Sequence, residues 1–478
     1  MSTAVTSAPT TSVTLTDASD ITLEGYRLVT RENAGVELTD AALERVDAVR
    51  TRFLKFVEAS AQNPIYGVNV GAGDGSFSSL DESQRANYTK GLNSATSFGR
   101  PLPERVVRGI VLARMSSYLD GSSAVSAGLL QHIANMLERD LAVVPAEGTR
   151  GSGEILPLGH LFASVPEEID LGPKESMSLV NGSPASAALA ADVSIRGEAQ
   201  LELATLVLAL ACDALNVPEE HFDEALGGLW GYEEEKAALI ELSQLLRGPS
   251  KARDKHQARV SVRILPRILG AARRALDDLR RDASIALGHV GDNPVFIEDG
   301  GQSRTASNGG FHNQRVMVSV DNFTRSLADL TQLAQHLMHA LYQSSEAMPD
   351  QDNLSLGVSY MVAADWSEEA RAHAIPSLLS FSAVGQNDVP FAMFAAWRNS
   401  ERVRECLLSQ LSVLTAMSIQ SLHTTQREPA EGLASFYAKV RDVFEPVSVR
   451  RDVGYDLQKL AEYYGEYTEA LERAAAGS

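Results

Sequence analysis

Arg150-Gly-Ser-Gly-Glu-Ile-Leu-Pro-Leu-Gly-His160 sets a serine between two glycines and follows it with an acid and an apolar run. Glycine on both sides lets the backbone fold more tightly than a side chain allows. In such a turn the nitrogen of Gly153 can approach the carbonyl carbon of Gly151. Ring closure with loss of two waters would convert Ser152 into a methylidene group on an imidazolone, a strong electrophile made without an external cofactor. The same residues also suit an ordinary helix start, with Ser152 as N-cap and Glu154 in the first turn. The stretch alone leaves both readings open.

The surrounding chain has 478 residues, 44% hydrophobic and 22% charged, the composition of a globular protein. Its net charge of −20 argues against nucleic-acid binding, which needs a basic face for the phosphates. Cys212 and Cys406 sit among apolar residues and read as buried thiols in a reducing compartment. No cysteine spacing suits zinc, and neither a metal nor a nucleotide is expected. His336 and His339 share a helical face but lack the further ligands of a metal site. Ser2 to Ala18 read as a loose tail without a secretory pattern. The most apolar run, Leu203 to Cys212, is too short to span a bilayer. These features predict a cytoplasmic protein with no membrane or nucleic-acid partner.

Helical periodicity dominates the second half. Phe323, Leu327, Leu330, Leu333, Leu337 and Leu341 recur every three or four residues, and Val403, Leu407, Leu411, Leu414 and Leu422 keep the same helical period. Helices are also expected over Ser250 to Leu279, with a break at Pro266, and over Gln458 to Ala475. Strand patterns are few. The glycine-rich Val68-Asn-Val-Gly-Ala-Gly-Asp-Gly75 resembles a methyltransferase cofactor turn, but no alternation of strand and helix follows it. The first half carries polar, glycine-rich loops at 66–76, 148–153 and 181–184, and a fourth lies at 300–310. Loops on a rigid helical frame are where chemistry usually sits. The expected division is a tail over 1–20, an active-site-loop region over 21–185, and a helical bundle with C-terminal helices over 186–478. The three would form one continuous catalytic unit.

Several motifs, taken in order, resemble the histidine, phenylalanine and tyrosine ammonia-lyases and their aminomutases. Gly151-Ser-Gly-Glu-Ile-Leu-Pro-Leu158 is similar to that family's Ala-Ser-Gly-Asp-Leu-Ala-Pro-Leu, and Tyr66-Gly-Val-Asn-Val-Gly71 to its Tyr-Gly-Val-Asn-Thr-Gly. Glu175 with Leu179-Val-Asn-Gly-Ser183, Gln257 with Ser261-Val-Arg263 and Pro266, and Asp292-Asn-Pro294 match further motifs. So do Ser307-Asn-Gly-Gly-Phe-His312 and Gln386-Asn-Asp388. The resemblance implies a mainly α fold, a long-helix bundle of the fumarase/aspartase-like ammonia-lyase type with a loop-rich N-terminal region carrying the active site. It also implies a homotetramer with each active site shared among three chains.

The resemblance further implies an amino-acid ammonia-lyase or 2,3-aminomutase with a methylidene-imidazolone formed from Gly151, Ser152 and Gly153. Tyr66 would take the substrate's β-proton. A phenol is ordinarily a poor base at neutral pH, so an electropositive or dry pocket is expected around it. Arg263 would clamp the substrate carboxylate through its planar fork. Asn181, Asn293, Phe311 and Gln386 would contact the amino acid or the electrophile. Lys90 falls where the family reads the side chain, and would favour an anionic or polar one. The chain departs from the family pattern at Glu154, at Arg150 in a shortened loop, at Val260 in place of a second tyrosine, and at Asn387 in place of a glutamate. A homologue that keeps the fold but not the electrophile is the alternative these departures leave open.

Overall fold

The computed structural model describes residues 12–60, 63–90, 94–248, 257–344, 356, 358–380 and 385–474. Helices dominate these residues, as expected. The expected helices over 323–341 and 403–422 extend to Gln314–Tyr342 and Met393–Thr424. The apolar stripe marks only the buried part of each, and polar turns continue the helix at its ends. The 458–475 expectation corresponds to Gly454–Ala474. Over 250–279 the helical part is a turn at Val260–Arg263 followed by Leu265–Gly288, while residues 250–256 lie outside the described residues. The break therefore falls at Ile264, ahead of Pro266. A proline in the first turn of a helix loses no hydrogen bond, so Pro266 opens the second helix instead of interrupting one.

Four short strands occur among the described residues. β1 (Ser12–Leu15) pairs in parallel with β2 (Gly35–Leu38). β3 (Val295–Asp299) pairs antiparallel with β4 (Gln302–Ala306). The β3–β4 hairpin turns through Gly300 and Gly301, whose φ angles of 56° and 80° suit glycine at both central positions. Residues 12–20, placed by sequence within a tail, are instead ordered by the β1 pairing. A short turn at Ala18–Asp20 follows, closed by a reciprocal cap between Asp17 and Asp20.

The chain forms two compact units of interleaved segments. One comprises residues 1–195, 280–318 and 377–397; the other comprises 196–279, 319–376 and 398–478. In the first unit, Phe53, Ile65, Val68, Ala124 and Phe296 form a core cluster, with the Phe53 and Phe296 rings edge to face at 5.4 Å. The Glu104–Leu119 helix of this unit is buried from Val106 onward, including Arg108 and Arg114. In the second unit the leucine stripes are buried. Each fully buried leucine contributes about 2–3 kcal/mol. Polar contacts tie the Met393–Thr424 helix to its neighbours: Gln410 donates to Ser367 Oγ at 2.6 Å, and Thr415 pairs with Tyr464 at 2.5 Å. Cys212 and Cys406 are buried, and burial pushes the Cys406 thiol up to about 11. His339 stacks edge-on against Tyr360 at 5.1 Å. Among the described residues no cluster of histidine, cysteine or carboxylate side chains could hold a metal, and no helix is long and apolar enough to cross a membrane.

Candidate active site

A cavity of about 200 Å³ opens in the first unit. Its lining includes Tyr66, Ser152, Gly153, Asn181, Asn293, Phe311 and Gln386, seven of the ten candidate residues. Gly73, Ile155, Ser307, Asn308 and Asn387 complete it.

The tyrosine loop is pinned on both sides of Tyr66. Ile65 and Val68 insert into the core cluster. Asn69 closes the loop on itself, accepting from the Ile65 amide at 2.6 Å and donating to the Asn63 carbonyl at 2.8 Å. Gly73 then donates its amide to the Tyr66 hydroxyl oxygen at 2.8 Å, which orients the phenol.

The Gly-Ser-Gly turn is held from several directions. Gly151 is extended, and its carbonyl accepts from the Phe391 amide at 3.2 Å. Gly153 and Glu154 are both left-handed, with φ of 69° and 58°. A Cβ on residue 153 would stand 2.8 Å from Asn181 Oδ1, so any larger residue here must displace that side chain and bear a left-handed backbone. The Gly153 carbonyl accepts from the Gly182 amide at 3.0 Å. The Ser152 hydroxyl donates to Asn387 Oδ1 at 3.2 Å, so the amide at this departure from the family pattern serves as an acceptor for the serine.

Glu154 ends the turn, but its side chain is engaged outside it. It is buried, and its oxygens accept from the Ala185 and Ser186 amides at 2.7 and 2.8 Å and from the Ser186 hydroxyl. Glu154 therefore caps the start of the Pro184–Ala214 helix from a distant loop, where amides lack intrahelical partners. Burial pushes its carboxyl up to about 7, against the lowering effect of these donors and of the Arg114 charge.

The far wall is built on the Asp292-Asn-Pro294 segment. Asn293 Oδ1 accepts from Ser307 Oγ at 3.2 Å and from the Asn308 amide at 2.9 Å, tying two motifs together. Beneath it lies a fully buried ion pair, Lys174 Nζ to Asp292 Oδ2 at 2.8 Å. Lys174 also donates to Ser178 Oγ and to the Ser123 carbonyl. Burial lowers the Lys174 ammonium. Burial works to raise the Asp292 carboxyl, yet the charges of Lys174 and Arg114 hold it below its usual range.

The remaining candidates fall elsewhere. Gly151 continues the turn without lining the cavity. Lys90 lines a second cavity of about 210 Å³, with Ser94, Gly159, Phe162, Leu179 and Val180 among its walls. Arg263 and Val260 belong to the second unit. The Arg263 guanidinium donates to the Ala258 carbonyl at 3.1 Å. The Gln257 side-chain oxygen, in the orientation that satisfies both partners, accepts two further bonds from it at 3.0 and 3.1 Å. Val260 is 59% exposed, and Arg150 is exposed. Sequence reasoning did not single out Gly73, Ile155, Ser307 or Asn308 as lining residues. Gly73, Ser307 and Asn308 lie in loops whose polar, glycine-rich character was the available signal, while Ile155 sits one residue beyond Glu154 in a motif read for other members.

Residues 21–167 and 163–442 match the aromatic amino acid lyase family. The chain belongs to that family, and is an enzyme of the carbon–nitrogen lyase or aminomutase type. It is 29% identical to histidine ammonia-lyase from Deinococcus radiodurans, over 92% of this chain and 91% of that one. It is 27% identical to histidine ammonia-lyase from Stigmatella aurantiaca, over 96% and 98%. Among solved structures it resembles the ergothioneine-degrading ergothionase of Treponema denticola, with a TM-score of 0.87 at 20% identity, covering 96% of this chain and 99% of that one. It also resembles the phenylalanine aminomutase of Pantoea agglomerans, with a TM-score of 0.85 at 20% identity over 96% and 100%. These likenesses establish the long-helix fold of the ammonia-lyases and aminomutases.

Proposed function

We propose that this chain is an amino-acid ammonia-lyase or 2,3-aminomutase whose electrophile is made from Gly151, Ser152 and Gly153. The observation that carries this reading is the convergence of Tyr66, Ser152, Gly153 and Asn181 on one cavity, with Gly153 in a left-handed conformation close against Asn181. These residues fit a methylidene-imidazolone: a serine hydroxyl at the cavity wall and two glycines in a turn fixed on both sides. When formed, that group supplies an electrophilic carbon for the substrate's amino nitrogen.

The chain's own residues supply the rest. Tyr66, oriented by the Gly73 amide, removes the β-proton. Asn181 Oδ1 is buried without a partner and is placed to accept from the substrate's amino group. Asn293, Phe311 and Gln386 shape the wall, Gln386 being steadied by a 2.8 Å bond to Ser76. Arg263 clamps the carboxylate, its fork steadied by the Gln257 side-chain oxygen. In the homotetramer we propose, Tyr66 and Ser152 come from a different protomer than some of the binding residues. The Lys90 cavity receives the substrate side chain and favours a polar or anionic one. Ile155 and Gly159, one helical turn apart, line the first and second cavities respectively.

Intact-protein mass tests this reading. A chain lighter by two waters supports it, and an unmodified Ser152 sinks it. Unchanged turnover in Ser152→Ala would refute it independently. Assaying ammonia release beside β-amino acid formation, with histidine and the aromatic amino acids first, distinguishes elimination from migration.

A further inference from the structure

Arg114 is completely buried, yet among the described residues no carboxylate lies within ion-pair distance of it, and its Nε has no partner. Asp292 and Glu154 act on its charge only through space, and burying a charge is costly, so the contacts it makes directly carry weight. Nη2 donates to Ser117 Oγ, and the guanidinium lies over the Tyr118 ring, 5.1 Å from its centroid. Nη1 donates to the Asn181 carbonyl oxygen at 2.7 Å.

That carbonyl shares a peptide group with the Gly182 amide, which donates to the Gly153 carbonyl. A cation gripping one end of a peptide polarises it and strengthens the bond made at the other end. The contact is close: a Cβ on Gly182 would stand 2.7 Å from Arg114 Nη1. The Asn181 side chain, on the same backbone, occupies the space beside Gly153. One peptide thus receives the arginine on one side and carries the serine turn on the other.

We propose that Arg114 is a positioning residue for the Ser152-Gly153 turn, acting through the Asn181–Gly182 peptide to set the approach of the Gly153 nitrogen to the Gly151 carbonyl carbon. The proposal rests on the reading that this turn becomes the electrophile. In that conversion a bond forms between the Gly153 nitrogen and the Gly151 carbonyl carbon. The carbonyl oxygen leaves as water with the amide hydrogens of Gly153 and Ser152. The Ser152 hydroxyl leaves as a second water with the Cα hydrogen. The step needs alignment and no co-reactant, and misplacement by about 1 Å costs such a step roughly 10²-fold.

Wild type, Arg114→Lys and Arg114→Met are compared by intact mass over time after synthesis, with heat-unfolding midpoints recorded. Arg108→Met is the control. It removes a second buried arginine of the same helix, one that holds the carbonyls of Val29, Ala34 and Leu137 and touches nothing in the turn. The expected result is dehydration slowed about 10- to 100-fold in Arg114→Met, partly restored in Arg114→Lys, and unaffected in Arg108→Met at a comparable fall in midpoint. Arg114→Met dehydrating at the wild-type rate overturns the proposal, as does a loss in Arg108→Met that matches its fall in midpoint. Where the methionine variant does not fold, Arg114→Gln takes its place under the same criteria. A wild-type chain that never loses water refutes the electrophile itself and takes this proposal with it. A difference confined to the variants bears on Arg114 alone.

Discussion

Replacing Glu154 with glutamine keeps the shape of the side chain that caps the Pro184–Ala214 helix and removes its charge. The carboxyl has an ordinary value of 4.5, and burial pushes it up to about 7. Below pH 4.5 it is protonated in both the folded and the unfolded chain. As the pH rises the unfolded chain ionises freely while the folded chain resists. The stabilisation present at low pH is therefore lost at about 1.4 kcal/mol per unit until the pH passes 7, about 3 kcal/mol in all. Glutamine is neutral throughout. For a 478-residue chain, unfolding entropy near 2 cal/mol/K per residue gives about 1 kcal/mol per degree. The midpoint of Glu154→Gln minus that of wild type should therefore climb by about 3 °C between pH 4.5 and pH 8. Paired scanning fluorimetry across that range reads this difference, and any constant cost of the amide cancels. A difference that stays level, or falls, would show that the carboxyl ionises normally and that the reasoning about its burial is wrong.

Tyr66→Phe should lower turnover by about 10²- to 10⁴-fold, the usual scale for a lost proton acceptor, while shifting the unfolding midpoint by no more than about 1 °C. Gly153→Ala meets both a left-handed φ of 69° and Asn181 Oδ1 at 2.8 Å. It should cost at least about 1–2 kcal/mol in denaturant unfolding and leave the intact mass undiminished. Lys174→Met strands the Asp292 carboxylate in the interior and should destabilise by about 3–5 kcal/mol. Adding Asp292→Leu should recover part of that loss, and a double variant no better than the single would refute the pairing.

The long helices were legible because burial imposes a period of three to four on leucine, and Phe323 to Leu341 keeps it without interruption. The loops of the site were legible because glycine and asparagine cluster only where the backbone turns tightly. What a loop side chain touches follows no local rule. Glu154 reads as a displaced acid beside a serine, yet its partners are amides 31 and 32 residues away. Arg114 sits in an apolar helix where nothing nearby announces the peptide it grips. Lys90 falls where a side-chain reader is expected, and its spacing does not tell that it lines a different cavity from Tyr66. Spacing along the chain fixes neighbours within a helix, and says little about which loops meet.

The bond between Ser152 and Asn387 spans 235 residues, whereas the Glu154 anchor spans only 31. A ribosome adding about 5–20 residues per second makes the partner of the anchor within roughly 2–6 s of Glu154. It makes Asn387 roughly 12–47 s after Ser152. The inner support of the serine turn can thus dock while synthesis is under way, and the wall that receives the serine hydroxyl arrives much later. Whatever the turn does in its complete surroundings belongs to a nearly finished chain. A nascent chain stalled before residue 387 would carry the serine in its turn but not the amide that faces it.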